Sequence, residues 1–299
     1  MAAIVPTPTP APGANTGAPF ELDHAGATLA GLRWGAAPRD RVDADSEPRR
    51  VLLIVHGLGE HIGRYGHLAD YFARAGYVVY GVDHQGHGRS AGARGCIASW
   101  DSLVAELNTL RGHAEQCEGQ AVSTYLWAHS LGGLIALDYL AHRPEAATLA
   151  GAVVTAPPLR VVDEPPAAVR ALAPYLARLA PNLTQGNGID ARDLSRDPGV
   201  VSLYTVDPLN HDRVSMRLGA GLLAAQTRLA GRVTIPVPTL LLHGGEDAIC
   251  DVAGSRRFAA GAHGPVEFRV FDGLRHEIHN EPEQAEVFAF AKTWLDARA

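Results

Sequence analysis

Six short apolar runs recur along the chain, at residues 51–55, 77–82, 122–127, 151–155, 237–242 and 266–271. Each is rich in β-branched or aromatic residues and apolar at consecutive positions, the pattern of strands covered on both faces. Stretches at 64–75, 100–117, 131–141, 252–260 and 282–297 fall between or after them and predict helices. Residues 20–23 and 28–34 predict a short hairpin ahead of the first run, with a charged loop at 39–50 between them and the sheet. Strand-helix alternation of this kind implies an α/β fold, with a mostly parallel sheet, right-handed crossovers and ligands at the carboxyl ends of the strands.

The alternation stops between about 157 and 236, where no run resembles a core strand. Two Pro-Pro pairs come first, then Val169, Leu172, Leu176 and Leu179 at helical spacing, then a second helical stretch over 214–229. The expected organisation is a flexible Pro/Thr/Ala/Gly tail over 1–19 and a sheet domain over 20–156. A helical cap over 157–235 and the rest of the sheet domain over 236–299 follow. The plain role for the cap's apolar stripe is packing on the sheet domain; a cap can also cover an entrance and rest transiently on lipid.

Composition narrows the function. With 46% apolar and 19% charged residues, the chain reads as globular. A net charge of −6 argues against nucleic-acid binding. Lys292 is the sole lysine among 26 basic residues, a bias better explained by coding composition than by phosphate recognition. Three cysteines without C-x-x-C spacing favour a reducing, cytoplasmic setting, with membrane association at most peripheral. No run reaches the roughly 18 apolar residues of a membrane span, and the first residues lack the layout of a secretion signal.

Candidate chemistry starts at Ala128-His129-Ser130-Leu131-Gly132-Gly133, a turn of small residues between a predicted strand and a predicted helix. That context exposes a serine on a nucleophile elbow, here as A-x-S-x-G in place of G-x-S-x-G. A serine hydroxyl needs a neighbouring base. His276 follows the last strand by four residues and precedes the final helix, so it returns to the sheet edge; His279 is the nearest competitor. The acid that orients the imidazole is expected at Asp247, just past the strand over 237–242, with Glu246 facing away and Asp251 capping the next helix. Backbone N–H groups of Leu131 and Leu58 are the expected oxyanion donors, each worth about 3–4 kcal/mol in the chemical step.

Several strings resemble the monoacylglycerol lipase family of α/β-hydrolases. They are His56-Gly57-Leu58-Gly59-Glu60-His61 with Arg64-Tyr65, Asp83-His84-Gln85-Gly86-His87-Gly88-Arg89-Ser90, and the elbow itself. The similarity continues through Ala180-Pro181-Asn182-Leu183 and Asp207-Pro208-Leu209 to Asp247-Ala248-Ile249-Cys250-Asp251 and His276-Glu277-Ile278-His279, spanning roughly residues 20–294. The resemblance implies an α/β-hydrolase fold with Ser130, Asp247 and His276 as triad and Leu58 and Leu131 as oxyanion pair. It also implies a small-molecule lipid ester as substrate, and no cofactor. Ala128 and Leu131 stand where the family more often has glycine and methionine.

The expected activity is hydrolysis of single-chain fatty acyl esters, monoacylglycerols first, through an acyl-enzyme, with Val169, Leu172, Leu176 and Leu179 lining an acyl channel. Alternatives are a lysophospholipase or a general short-chain carboxylesterase, then a C–C hydrolase or perhydrolase on the same framework. A non-catalytic ligand-binding protein of this fold is the rival from another class, and it would take no organophosphate label at Ser130. The histidines of residues 83–87 lack metal-ligand spacing and are expected to brace loops. Cys250 is expected to be a small buried residue rather than a reactive thiol.

Overall fold

A computed structural model describes residues 17–37, 49–119 and 122–298. The strands are β1 (Ala18–His24), β2 (Ala27–Trp34), β3 (Arg49–Val55), β4 (Tyr77–Val82), β5 (Val122–His129), β6 (Gly151–Thr155), β7 (Thr184–Gly186), β8 (Arg213–Ser215), β9 (Thr239–Gly244) and β10 (Val266–Phe271). The helices are α1 (Gly66–Arg74), α2 (Trp100–Glu118), α3 (Leu131–His142), α4 (Ala167–Leu179), α5 (Pro198–Val206), α6 (Met216–Leu229), α7 (Val252–Gly261) and α8 (Gln284–Asp296). Eight strands form one sheet in the order β1-β2-β4-β3-β5-β6-β9-β10, parallel from β4 to β10, with the β1–β2 hairpin antiparallel at one edge. This is the mostly parallel, helix-flanked sheet of an α/β-hydrolase.

Burial explains why consecutive apolar positions were needed. Leu53, Val55, Leu126, Ala128, Val154 and Leu241 pack toward α2, α3 and the cap helix α6. Leu52, Ile54, Trp127, Val153 and Leu242 pack on the other face with α1 and α8. The edge strand β10 differs: Glu267 and Arg269 are exposed, so it alternates and is not covered on both faces.

Residues 1–16 and 38–48, which hold most of the expected tail and most of the charged loop, lie outside the described residues. Ala18 and Pro19 already pair with Arg33 and Leu32, so β1 begins inside the stretch assigned to the tail. Between β6 and β9 the chain forms α4, α5 and α6 together with a two-stranded β7–β8 ribbon, and Val214 belongs to that ribbon rather than to a helix. The ribbon escapes periodicity because each strand is three residues long. The helix α6 is anchored: Leu218, Ala225 and Leu229 are buried, and Arg228 pairs with Asp138 of α3 at 2.5 Å. Neither α4 nor α5 buries a residue.

Candidate active site

Register places the loops after β3, β5, β9 and β10 at one edge of the sheet. Val55 lies opposite Ala128, His129 opposite Thr155, and Thr155 opposite Leu242. Ser130, one residue past β5, adopts φ 50° and ψ −120°, a left-handed conformation costly for a residue with a Cβ. It is held there by Ser130 N–H donating to Thr155 O at 2.9 Å, and by α3 closing behind it through Leu134 N–H to Ser130 O at 3.0 Å. Close approach of α3 to the sheet requires Gly132: a Cβ there would lie 2.2 Å from Val55 O and 2.5 Å from His56 O. Ala128 is fully buried in the sheet, its methyl accommodated among the core residues.

The structure brings Ser130, His276 and Asp247 into one hydrogen-bonded chain. His276 Nε2 lies 3.0 Å from Ser130 Oγ, and His276 Nδ1 lies 2.8 Å from Asp247 Oδ2. The other carboxylate oxygen of Asp247 accepts from Ile249 N–H and Cys250 N–H, each at 2.9 Å. Gly244 lets the β9 exit meet the His276 loop, since a Cβ there would fall 2.1 Å from Arg275 O. Burial opposes charge on both partners, yet they stabilise each other: beside His276, Asp247 is held well below the usual carboxylate range. Likewise the Asp247 carboxylate holds His276 well above the ordinary imidazole value.

The competing residues sit apart from this chain. Glu246 is exposed. Asp251 caps α7, accepting from Ala253 N–H at 2.8 Å. His279 lies in a single helical turn (Ile278–Asn280), stacked on Tyr65 at 4.9 Å between ring centroids, with neither ring nitrogen partnered. Leu131 opens α3, where a first-turn N–H has no partner four residues back, and Leu58 lines the cleft over Ser130.

Three arrangements were not expected from the sequence. His243, fully buried at the end of β9, places Nε2 3.1 Å from Asp247 Oδ2 and 2.9 Å from Cys250 O, so a second imidazole braces the acid. Arg64 grips Glu277, the neighbour of His276, through two 2.7 Å bonds and also contacts Glu60. Glu60 in turn accepts from Gly57 N–H and Tyr65 OH at 2.6 Å, tying the Leu58 loop to the His276 loop. Finally, the cap contributes Ile189, Leu194 and Tyr204 to the cleft. Val169, Leu172, Leu176 and Leu179 are not brought to it: they are 48%, 54%, 41% and 84% exposed on α4. The periodicity that marked them shows an apolar face but not which way it turns.

The loop over 83–90 braces its neighbours. Asp83 accepts from Ile62 N–H and Arg89 N–H at 2.7 Å, and His84 Nδ1 lies 2.7 Å from Glu106.

Comparison with known proteins gives the same picture. A family profile described as Serine aminopeptidase, S33, matches residues 46–283. The chain is 35% identical over 254 residues to a monoacylglycerol lipase of Mycolicibacterium smegmatis, covering 84% of this chain and 89% of that one. It is 31% identical over 261 residues to the monoglyceride lipase of Rattus norvegicus, with 84% of each covered. Among solved structures, the monoacylglycerol lipase of Paleococcus ferrophilus superposes with a TM-score of 0.79 at 33% identity, covering 91% of this chain and 99% of that one. Fold, edge geometry and these similarities together establish that the chain belongs to the monoacylglycerol lipase family of α/β-hydrolases and is a carboxylic ester hydrolase.

Proposed function

We propose that this chain hydrolyses monoacylglycerols through an acyl-enzyme on Ser130. The observation that carries the reading is the hydrogen-bonded chain from Ser130 Oγ through His276 to Asp247, at a cleft roofed by a cap. His276 takes the serine proton as Oγ attacks the ester carbonyl, and Asp247 stabilises the imidazolium that forms. The N–H groups of Leu58 and Leu131 receive the oxyanion. His276 then protonates the departing glycerol oxygen, and water repeats the sequence to release the fatty acid. Relatives named as monoacylglycerol lipases support the substrate class.

The apolar face of α4 is proposed as the surface that meets lipid, which makes the protein peripheral to a membrane. Leu172, Tyr175, Leu176 and Leu179 are exposed together with Leu183, Leu203 and Val206 elsewhere on the cap, while α6 stays anchored to the core. No helix of the described residues is long and apolar enough to cross a membrane.

The test is a hydrolysis panel with one acyl chain on monoacylglycerol, diacylglycerol, lysophospholipid and p-nitrophenyl leaving groups. Preference for monoacylglycerol, abolished in Ser130→Ala, is expected. Preference for lysophospholipid would move the substrate to phosphoglycerol esters, and a flat response would reduce the activity to that of a general esterase. Turnover persisting in Ser130→Ala would remove the nucleophile assignment.

A further inference from the structure

We propose that Asp247, Cys250 and His276 form an inhibitory site for a soft divalent cation, Zn2+ foremost, which stops hydrolysis by taking the imidazole away from Ser130. The hydrolytic cycle has no use for Cys250, yet its thiol is 1% exposed and faces both His276 and the Ser130 hydroxyl. One carboxylate oxygen of Asp247, the sulfur of Cys250 and one imidazole nitrogen of His276 all lie within 4.8 Å of one another. Among the described residues no other group of three histidine, cysteine or acidic side chains brings its donors so close.

Sulfur, imidazole and carboxylate together suit zinc, whereas magnesium and calcium take oxygen ligands. Around a tetrahedral ion with the usual zinc bond lengths, donors stand about 3.3–3.7 Å apart, so these three need draw together by no more than about 1.5 Å. Water fills the fourth position, as in three-ligand zinc sites. On binding, the thiol proton and the second proton of any imidazolium form of His276 leave to solvent, the neutral imidazole gives its lone pair and the carboxylate enters already charged. Thiolate and carboxylate then balance the 2+ charge, which a buried site requires.

The surroundings hold two of the donors. Cys250 O accepts from His243 Nε2 at 2.9 Å, and Cys250 pairs across an isolated bridge with Val161. Asp247 is gripped by two backbone N–H groups and by His243, the outer support that metal-binding carboxylates use. The inhibitory consequence rests on His276 being the base; binding of the ion does not.

The test uses the full chain with Cys96→Ser and Cys117→Ser, which leaves Cys250 as the sole thiol. Cys117 has to go because its sulfur lies 3.6 Å from His113 Nε2 and offers a competing pair. Co2+ added to this protein is expected to give a thiolate-to-cobalt charge-transfer band at one equivalent, displaced by Zn2+. The band is retained with Ser130→Ala and lost with Cys250→Ser and Cys250→Ala. In parallel, Zn2+ is titrated against hydrolysis of a soluble p-nitrophenyl ester, each protein being scaled to its own chelator-treated rate. At least a roughly tenfold loss, reversed by chelation, is expected, with either Cys250 variant needing about tenfold more Zn2+ or beyond, since losing an outer support alone costs that much. No band in the one-thiol protein, a band without inhibition, or an unchanged Zn2+ response in the Cys250 variants would overturn the proposal. The cobalt band is read whether or not monoacylglycerol is the substrate, so failure of the substrate assignment shows separately in the hydrolysis panel.

Discussion

At the level of single residues, Asp247 has the most work to do. It holds one imidazole for the serine, accepts a second from His243 and carries two backbone bonds. Its charge is what lifts the affinity of His276 for a proton above the ordinary imidazole range against the pull of burial. Because a base works only when unprotonated, kcat/KM is expected to fall on acidification at a pH above the usual histidine value of about 6.5. Asp247→Asn removes the larger influence opposing burial, Cys250 being the lesser one, and should shift that acid limb to lower pH while cutting kcat by about 10^4-fold. A pH–rate profile of both proteins decides it, and an acid limb that stays in place would mean another group sets it. The meeting of Ser130, Asp247 and His276 could be expected from the sequence because Ser130 directly follows a strand, Asp247 and His276 each follow one by a short loop, and parallel strands deliver such positions to one edge. His243 could not be picked that way. It lies inside β9, and its contact with Asp247 depends on the turn that folds residues 245–250 back over it.

Among the elements, the sheet was legible because burial on both faces leaves an apolar run in the sequence that nothing else produces so compactly. The cap was legible only as an interruption. Its α5 is nine residues, Pro198–Val206, rich in valine and without a buried residue, so no amphipathic stripe marks it; the signal available was Asp197 capping Gly199 N–H at 2.7 Å ahead of Pro198. Helix α4 shows the opposite problem, a clear stripe whose destination periodicity does not give. Exchanging Leu172, Leu176 and Leu179 for serine should therefore leave the fold and the hydrolysis of a soluble p-nitrophenyl ester nearly unchanged, because these side chains are 54%, 41% and 84% exposed. The same protein should sediment poorly with phospholipid vesicles and turn over vesicle-embedded monoacylglycerol several-fold more slowly. Equal loss on both substrates would instead place the three side chains in the acyl path, and no loss on either would remove α4 from lipid contact.

Across the whole molecule, buried neutral histidines set how the fold meets acid. Burial, reinforced by neighbouring cations and histidines, holds His56, His87 and His129 well below the ordinary imidazole value. Burial likewise takes His211 down to about 4 and His279 to about 3. Below pH 6.5 the unfolded chain takes up protons at these positions and the folded chain does not. Stability therefore falls with pH by about 1.4 kcal/mol per pH unit for each such histidine, until its folded value is reached. His276 acts in the opposite sense, since its folded affinity is raised: its contribution is present below pH 6.5 and is lost as pH rises through the folded value. Burial lowers His67 and His113 as well, and seven histidines against one make acid the weak side. His279 isolates the effect because it is fully buried, stacks on Tyr65 and has no hydrogen bond to lose from either ring nitrogen. His279→Phe keeps the stacking surface and removes one titrating group without breaking a hydrogen bond of the ring. Urea unfolding of both proteins at pH 7, 6, 5 and 4 should show the variant losing stability less steeply, by about 1.4 kcal/mol per pH unit. Parallel slopes would mean that His279 takes up its proton as readily folded as unfolded, and the acid sensitivity would then belong to the paired carboxylates.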